Sequence, residues 1–128
     1  MSYYFTRTLD LPFDAAIAHV TEALAAKGFG VLTTIDVKAT MKKKLDVDFK
    51  PYTILGACNP RLALSALQAE DKIGTMLPCN VIVTEHAPGK VEVAAVDPVA
   101  SMSAIENTSL GETAGKVRQM LSDVIESL

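Results

Sequence analysis

Two short stretches of this sequence each carry a Cys-Asn pair at a point where an apolar run meets a proline. They are Ile54-Leu55-Gly56-Ala57-Cys58-Asn59-Pro60 and Leu77-Pro78-Cys79-Asn80-Val81, and they contain both cysteines of the 128-residue chain. Asn59-Pro60 is a strong helix start, because asparagine accepts hydrogen bonds from the free N–H groups of the first turn and proline lacks the N–H that would go unpaired. The first stretch therefore predicts a strand over 52–58 that leads into a helix over 60–69. The second begins a strand over 78–85.

The remaining elements follow from hydrophobic spacing and turn residues on either side of these stretches. Alternation predicts strands over 3–8, 30–35 and 91–96, and His86-Ala87-Pro88-Gly89 indicates a hairpin before the last of them. Apolar residues at helical spacing predict a helix over 12–26, with Asp10 as its expected N-cap, and a long C-terminal helix that begins at a capping box from Ser109. Shorter helices are predicted over 37–45 and after Asp97-Pro98.

This order of elements predicts an α+β fold, in which residues 1–128 form a single domain of two layers. We expect a mostly antiparallel sheet of about five strands, with the helices packed on one face. Alternation puts apolar side chains on both faces of the central strands, since Leu55 lies opposite Ile54 and Val81 lies opposite Ile82. A sheet that packs helices on one side only would have a polar second face. We therefore predict a homodimer in which a second copy of the chain covers that face.

Composition narrows the classes of function. The chain is 49% hydrophobic and 21% charged, with a formal net charge of −3, which indicates a globular protein with a substantial core. It lacks the basic surplus of a protein that binds a phosphate backbone, so nucleic acid is not an expected partner. No apolar run approaches the roughly 20 residues that span a bilayer, and the N-terminus lacks a signal core. We expect a cytoplasmic protein without a membrane partner, whose cysteines are reduced thiols.

The chain resembles the bacterial and archaeal domain-of-unknown-function 302 family. The resemblance rests on Gly28-Phe29-Gly30-Val31-Leu32-Thr33, on Lys44-Leu45 and on the two Cys-Asn stretches, and it runs over nearly the whole chain. The motif positions that carry over are Gly56, Cys58, Asn59, Pro60, Leu77, Pro78, Cys79 and Asn80. The resemblance implies a small α+β domain that tends to dimerise, and it supplies no activity because the family is uncharacterised.

The two Cys-Asn pairs form the candidate functional site. Cys58 lies just before a helix N-terminus, where free N–H groups and the helix dipole stabilise a thiolate, and Asn59 and Asn80 could orient a substrate. Under the alternative interpretation both cysteines are small core residues and Asn59 is only a cap. Strand direction decides between the two, because the thiols would lie roughly 17–20 Å apart on parallel neighbouring strands. They can meet only across antiparallel strands or across a dimer.

Other polar residues add little to this site. Lys44, in the run Lys42-Lys43-Lys44, is a further ligand-binding candidate, although a run of this kind more often forms a solvated helix face. His19 and His86 are interpreted as ordinary surface residues, and neither is close in sequence to a cysteine. Two cysteines alone are two ligands short of a closed zinc site, so the sequence identifies no metal and no other cofactor.

Three functions stay open on the sequence alone, and it does not decide whether the protein is an enzyme. The leading hypothesis is a binding domain that holds a small ligand or metal through Cys58, Asn59, Cys79, Asn80 and Lys44. The second is a thiol-dependent enzyme or redox protein, with Cys58 as the nucleophile and Cys79 as the resolving residue. The third is a homo-oligomeric interaction module without catalysis.

Overall fold

The computed structural model describes residues 2–128 and contains five strands and six helical segments over that range. The strands are β1 (Tyr4–Leu9), β2 (Gly30–Asp36), β3 (Tyr52–Cys58), β4 (Cys79–Ala87) and β5 (Lys90–Val96). The α-helices are α1 (Phe13–Ala26), α2 (Val37–Leu45), α3 (Pro60–Ala69), α4 (Pro98–Ser101) and α5 (Thr108–Ser127), and a 3₁₀ helix spans Asp71–Met76. The predicted α+β class and the predicted order of the long elements are both confirmed.

All five strands form one sheet in the order β1-β5-β4-β3-β2, and every neighbouring pair is antiparallel. Ala57 on β3 lies directly opposite Cys79 on β4, and Gly56 lies opposite Asn80. Because β3 ends at Cys58 and β4 begins at Cys79, both cysteines lie at the same end of the sheet. The strand arrangement that the thiols need in order to meet is therefore present.

One face of the sheet forms the main hydrophobic core. The inward side chains of the central strands, such as Val81 and Val93, are fully buried against α1 and α5, which contribute Leu24 and Leu121. Burial of each such side chain contributes roughly 1.5–3 kcal/mol. The prediction that the helices pack on one face is confirmed.

A second, smaller hydrophobic cluster lies among the helices near the end of the sheet where the cysteines are found. It is formed by residues of α3, the 3₁₀ helix, the end of α4 and the first half of α5, namely Ala66, Ile73, Met102, Leu110 and Ala114. The main core and this cluster are separate sets of buried side chains. The boundary between them is the natural place for a cavity.

The N-caps predicted for the two long helices were wrong. The N-cap of α1 is Pro12, which makes no side-chain cap hydrogen bond, and the Asp10 carboxylate instead pairs with Lys90 on β5. Asp10 lies two residues too early, since a cap side chain reaches only the N–H groups two and three positions on. The cap of α5 is Asn107, whose side chain accepts a hydrogen bond from the Ser109 N–H at 3.1 Å. Asn107 lies two residues before Ser109, so α5 begins earlier than the predicted capping box.

The second face of the sheet is not fully polar, as the alternation indicated. Tyr52, Ile54 and Ile82 are half-buried on it, and Thr84 is almost fully buried. The homodimer stays a prediction. Within residues 2–128, no helix has both the length and the apolar character needed to cross a bilayer.

Candidate functional site

Both cysteines line one cavity of about 40 Å³ at the boundary between the main core and the second cluster. The sheet contributes the end of β3 and the start of β4, while α3, α4 and α5 close the other sides. The lining residues are Phe29, Ala57, Cys58, Asn59, Leu62, Ala63, Ala66, Leu77, Pro78, Cys79, Pro98, Met102, Leu110, Thr113, Ala114 and Val117. Most of these side chains are apolar, and the polar groups are the two thiols, the Asn59 amide and the Thr113 hydroxyl. Such a wall suits an apolar ligand that is oriented by a few polar atoms.

Cys79 is a buried thiol with only 7% of its surface exposed. Burial raises the pKa of Cys79 from 9.0 to about 11, and nearby Cys58 adds a smaller contribution in the same direction. The thiol is therefore protonated at neutral pH, and a protonated thiol is a poor nucleophile. Cys58 is half-buried, and both cysteines are free.

Asn59 is held in place as the N-cap of α3. Its Oδ1 accepts a hydrogen bond from the Leu62 N–H at 3.2 Å, and Pro60 occupies the first helical position. Gly28 lies against the same amide, because a Cβ on Gly28 would lie 3.1 Å from Asn59 Nδ2. The backbone of Gly28 also has a φ of +84°, which favours glycine. Asn59 thus acts as a cap, as the alternative interpretation expected, and it also lines the cavity.

Gly56 permits a close contact that positions the second Cys-Asn stretch. A Cβ at this position would collide with the Thr33 hydroxyl and would lie 2.7 Å from Pro78 Cγ. Thr33 pairs with Gly56 just after a register shift in β2, and the Leu77–Pro78 peptide bond is cis. The absence of a side chain at Gly56 lets Pro78 pack over β3, directly before Cys79.

The structure does not bring Asn80 or Lys44 to the cavity. Asn80 points to the opposite face of the sheet from Cys79, because successive strand residues alternate. There it is exposed and lines a separate groove together with Tyr52 and Glu92. Lys44 is exposed in the last turn of α2 and is not among the residues that line the cavity. Of the five predicted ligand-binding residues, the cavity unites Cys58, Asn59 and Cys79.

The far wall of the cavity depends on Asp97, whose importance the sequence did not reveal. Its Oδ1 accepts a hydrogen bond from the Val99 N–H at 3.0 Å and so caps α4, as Asp97-Pro98 indicated. Its Oδ2 accepts a hydrogen bond from Arg118 Nε at 3.1 Å on α5. Asp97 therefore fastens α4 to α5 and positions Met102 at the cavity. No spacing in the sequence identifies Arg118 as the partner.

Metal ligands of the usual kinds are scarce around the thiols. Within residues 2–128, no group of three or more His, Cys, Asp and Glu side chains is placed to hold a metal ion. His19 Nε2 lies 3.2 Å from the Leu128 carbonyl oxygen, and His86 Nε2 lies 3.3 Å from Glu92 Oε1. Neither histidine lines the cavity.

Comparison with known proteins gives a family and a fold neighbour. A family model described as "Domain of unknown function DUF302" matches residues 5–128. The chain is also similar to the crystal structure of an uncharacterized conserved DUF302 protein from Bacillus stearothermophilus, with 25% sequence identity, a TM-score of 0.90 and 98% of each chain covered. No match was found among the curated proteins. The shared architecture includes the elements that surround the cavity.

Proposed function

Since the chain belongs to the DUF302 family of domains of unknown function, we propose a function from its own cavity: binding of a small, mostly apolar ligand beside Cys58, Asn59 and Cys79. The observation that carries this proposal is the position of the cavity between two separate hydrophobic clusters. A binding site needs apolar walls for affinity and a few fixed polar groups for orientation. The cavity supplies both, and the hydrogen bond to Leu62 fixes the Asn59 amide.

The size of the cavity limits what it can hold. A volume of about 40 Å³ accommodates only a few small atoms, since one water molecule needs on the order of 10–15 Å³ by the same measure. A larger ligand requires α3 to move away from α5. That movement draws Ala66 on α3 away from Leu110 and Ala114 on α5 within the second cluster, but it breaks no strand pair, because α3 and α5 lie outside the sheet. The proposal therefore includes a cavity that widens at this boundary when a ligand enters.

A cavity-filling variant tests the proposal. Ala63 lies on α3 and lines the cavity, so Ala63→Leu should occupy the space, while Ser65→Leu places the same side chain on the exposed side of the same helix. We expect small apolar molecules, screened by ¹⁵N NMR, to bind the wild type and the Ser65→Leu variant but to lose at least tenfold in affinity with Ala63→Leu. Equal affinity for all three proteins, or no binding to any of them, would contradict the proposal.

A thiol-dependent redox function is the second candidate, and one observation favours it: the two cysteines line the same cavity. In such a reaction the Cys58 thiolate would attack a hydroperoxide and become a sulfenic acid with release of an alcohol or water. The Cys79 thiolate would then attack the sulfenic sulfur to form the disulfide, and the hydroxide that leaves takes a proton from solvent to become water. The raised pKa of Cys79 works against the second step, because it keeps the resolving thiol protonated. Mass spectrometry after hydroperoxide treatment decides the matter, since this function requires a Cys58–Cys79 disulfide to form faster than overoxidation of Cys58.

A further inference from the structure

We infer that the same cavity is a site for a soft monovalent metal ion, Cu(I), ligated by the sulfur atoms of Cys58, Cys79 and Met102. The inference goes beyond the proposed function and shares with it only the cavity. The chain has two cysteines and five methionines, and both cysteines and Met102 line this cavity. Three sulfur-bearing residues, from the end of β3, the start of β4 and the turn after α4, thus line one cavity.

The topology explains why Met102 reaches the cysteines. Val81 on β4 pairs with Ala95 on β5, so the start of β4 at Cys79 lies beside the end of β5, where Asp97 begins α4. One turn of helix later the chain reaches Met102, which is 9% exposed. The Asp97 contacts to α4 and α5 hold that turn in place. Met102 is therefore held at the cavity wall by the contacts of Asp97 with α4 and α5.

The donor set selects the kind of metal. Thiolate and thioether sulfur are soft ligands that favour Cu(I), whereas Ca²⁺ and Mg²⁺ require oxygen ligands. A structural zinc site takes four ligands, and the described residues offer no histidine or carboxylate in a group with the two thiols. Three sulfur atoms without further donors match a metal ion that accepts low coordination.

The charge of the bound complex depends on how many of the two thiols lose their protons. The cavity wall is mainly apolar, and an unpaired charge in such surroundings is costly. A monovalent ion bound by one thiolate is neutral, and by two thiolates it carries one negative charge that the Asn59 amide can face. Each thiol that binds the metal releases its proton to solvent, and no electron is transferred because the metal enters as Cu(I).

Anaerobic titration with Cu(I), in competition with a chromophoric Cu(I) chelator, tests the inference. We expect one equivalent to bind the wild type and binding to be lost in Cys58→Ser and Cys79→Ser. Met102→Leu keeps the apolar volume and removes the sulfur, so we expect it to weaken binding on the order of tenfold or more. Met76→Leu is the matched control, since Met76 is 42% exposed and does not line the cavity, and it should bind as the wild type does.

The outcomes separate this inference from the proposed function. Absence of Cu(I) binding, or wild-type affinity in Met102→Leu, overturns the three-sulfur site. If apolar molecules still bind the wild type and fail with Ala63→Leu, the proposed function survives that result. If neither Cu(I) nor apolar molecules bind the wild type, the Cu(I) site and the proposed function are both overturned. X-ray absorption of the Cu(I) protein should count three sulfur neighbours in the wild type and two in Met102→Leu, and an equal count in the two proteins would overturn the inference.

Discussion

The buried thiol of Cys79 should make the stability of the protein depend on pH in the alkaline range. Its pKa is about 11 in the folded state against an ordinary value of 9.0, so below pH 9 both states keep the proton and stability does not change through this group. Above pH 9 the unfolded chain loses the proton first, so the folded state binds more protons and the free energy of unfolding falls as pH rises. Each pKa unit corresponds to about 1.4 kcal/mol, so the full loss is about 2.7 kcal/mol above pH 11 and about 2 kcal/mol by pH 10.5.

Urea unfolding followed by circular dichroism, in the presence of a reductant, measures this effect between pH 8 and pH 10.5. Cys79→Ala lacks this thiol, so the free energy of unfolding of the wild type should fall by about 2 kcal/mol relative to that of the variant across that range. Cys58→Ala should retain most of the pH dependence, because burial contributes more than Cys58 to the raised pKa. A difference between wild type and Cys79→Ala that stays constant with pH would show that Cys79 is not buried, and the cavity would then be wrongly placed.

Four further predictions concern the framework around the cavity. Gly56→Ala should lower the free energy of unfolding by about 1–3 kcal/mol, measured in urea, because the new Cβ collides with Thr33. Asn59→Ala should cost about 1 kcal/mol through the lost cap of α3, and hydrogen exchange should speed up in the first turn of that helix. Asp97→Ala should cost about 1–2 kcal/mol and broaden the NMR signals of the Met102 methyl group, since α4 loses its cap and its tie to α5. Ile82→Lys should shift the protein from dimer to monomer in sedimentation equilibrium, if the second face of the sheet is the proposed dimer contact.

Each of these changes has a result that contradicts it. Gly111→Ala is the control for the glycine substitution, because a Cβ there meets nothing within 4 Å and should stabilise α5 by up to about 1 kcal/mol. Equal changes in the free energy of unfolding for Gly56→Ala and Gly111→Ala would contradict the explanation that Thr33 lies too close to Gly56 for a Cβ. Unchanged exchange in α3 would rule out Asn59 as its cap. A sharp Met102 signal in Asp97→Ala would show that another contact holds α4. A wild-type protein that is monomeric at high concentration in sedimentation equilibrium would contradict the predicted homodimer.

Much of the fold could be predicted from the sequence because local signals agreed with one another. The Asn59-Pro60 pair marked the end of β3 and the start of α3. Alternation grouped Leu55 with Ala57 and Cys79 with Val81, and these four residues are buried in the core. The errors were at helix ends. Asn107 caps α5 because its side chain reaches the Ser109 N–H, whereas α1 begins at Pro12 without a side-chain cap, two residues after Asp10.

The candidate site was only half predictable, for a physical reason. Cys58 and Asn59 are adjacent at one strand end, and antiparallel pairing brings Cys79 to them. Asn80 was grouped with Cys79 on the basis of sequence adjacency, although strand alternation sends neighbouring residues to opposite faces. The wall formed by Met102 depends on how α4 packs against α5. That packing rests on the contact between Asp97 and Arg118, which are 21 residues apart in the chain and carry no local pattern.

Intermolecular NOEs would show whether a small molecule binds beside Cys58, Asn59 and Cys79. The most tightly bound apolar molecule from the NMR screen would be studied in complex with methyl-labelled protein. We expect NOEs from that molecule to the methyl groups of Met102 and Val117, which line the cavity. NOEs to Ile82 instead would place the molecule in the groove on the opposite face of the sheet and would contradict the proposed function.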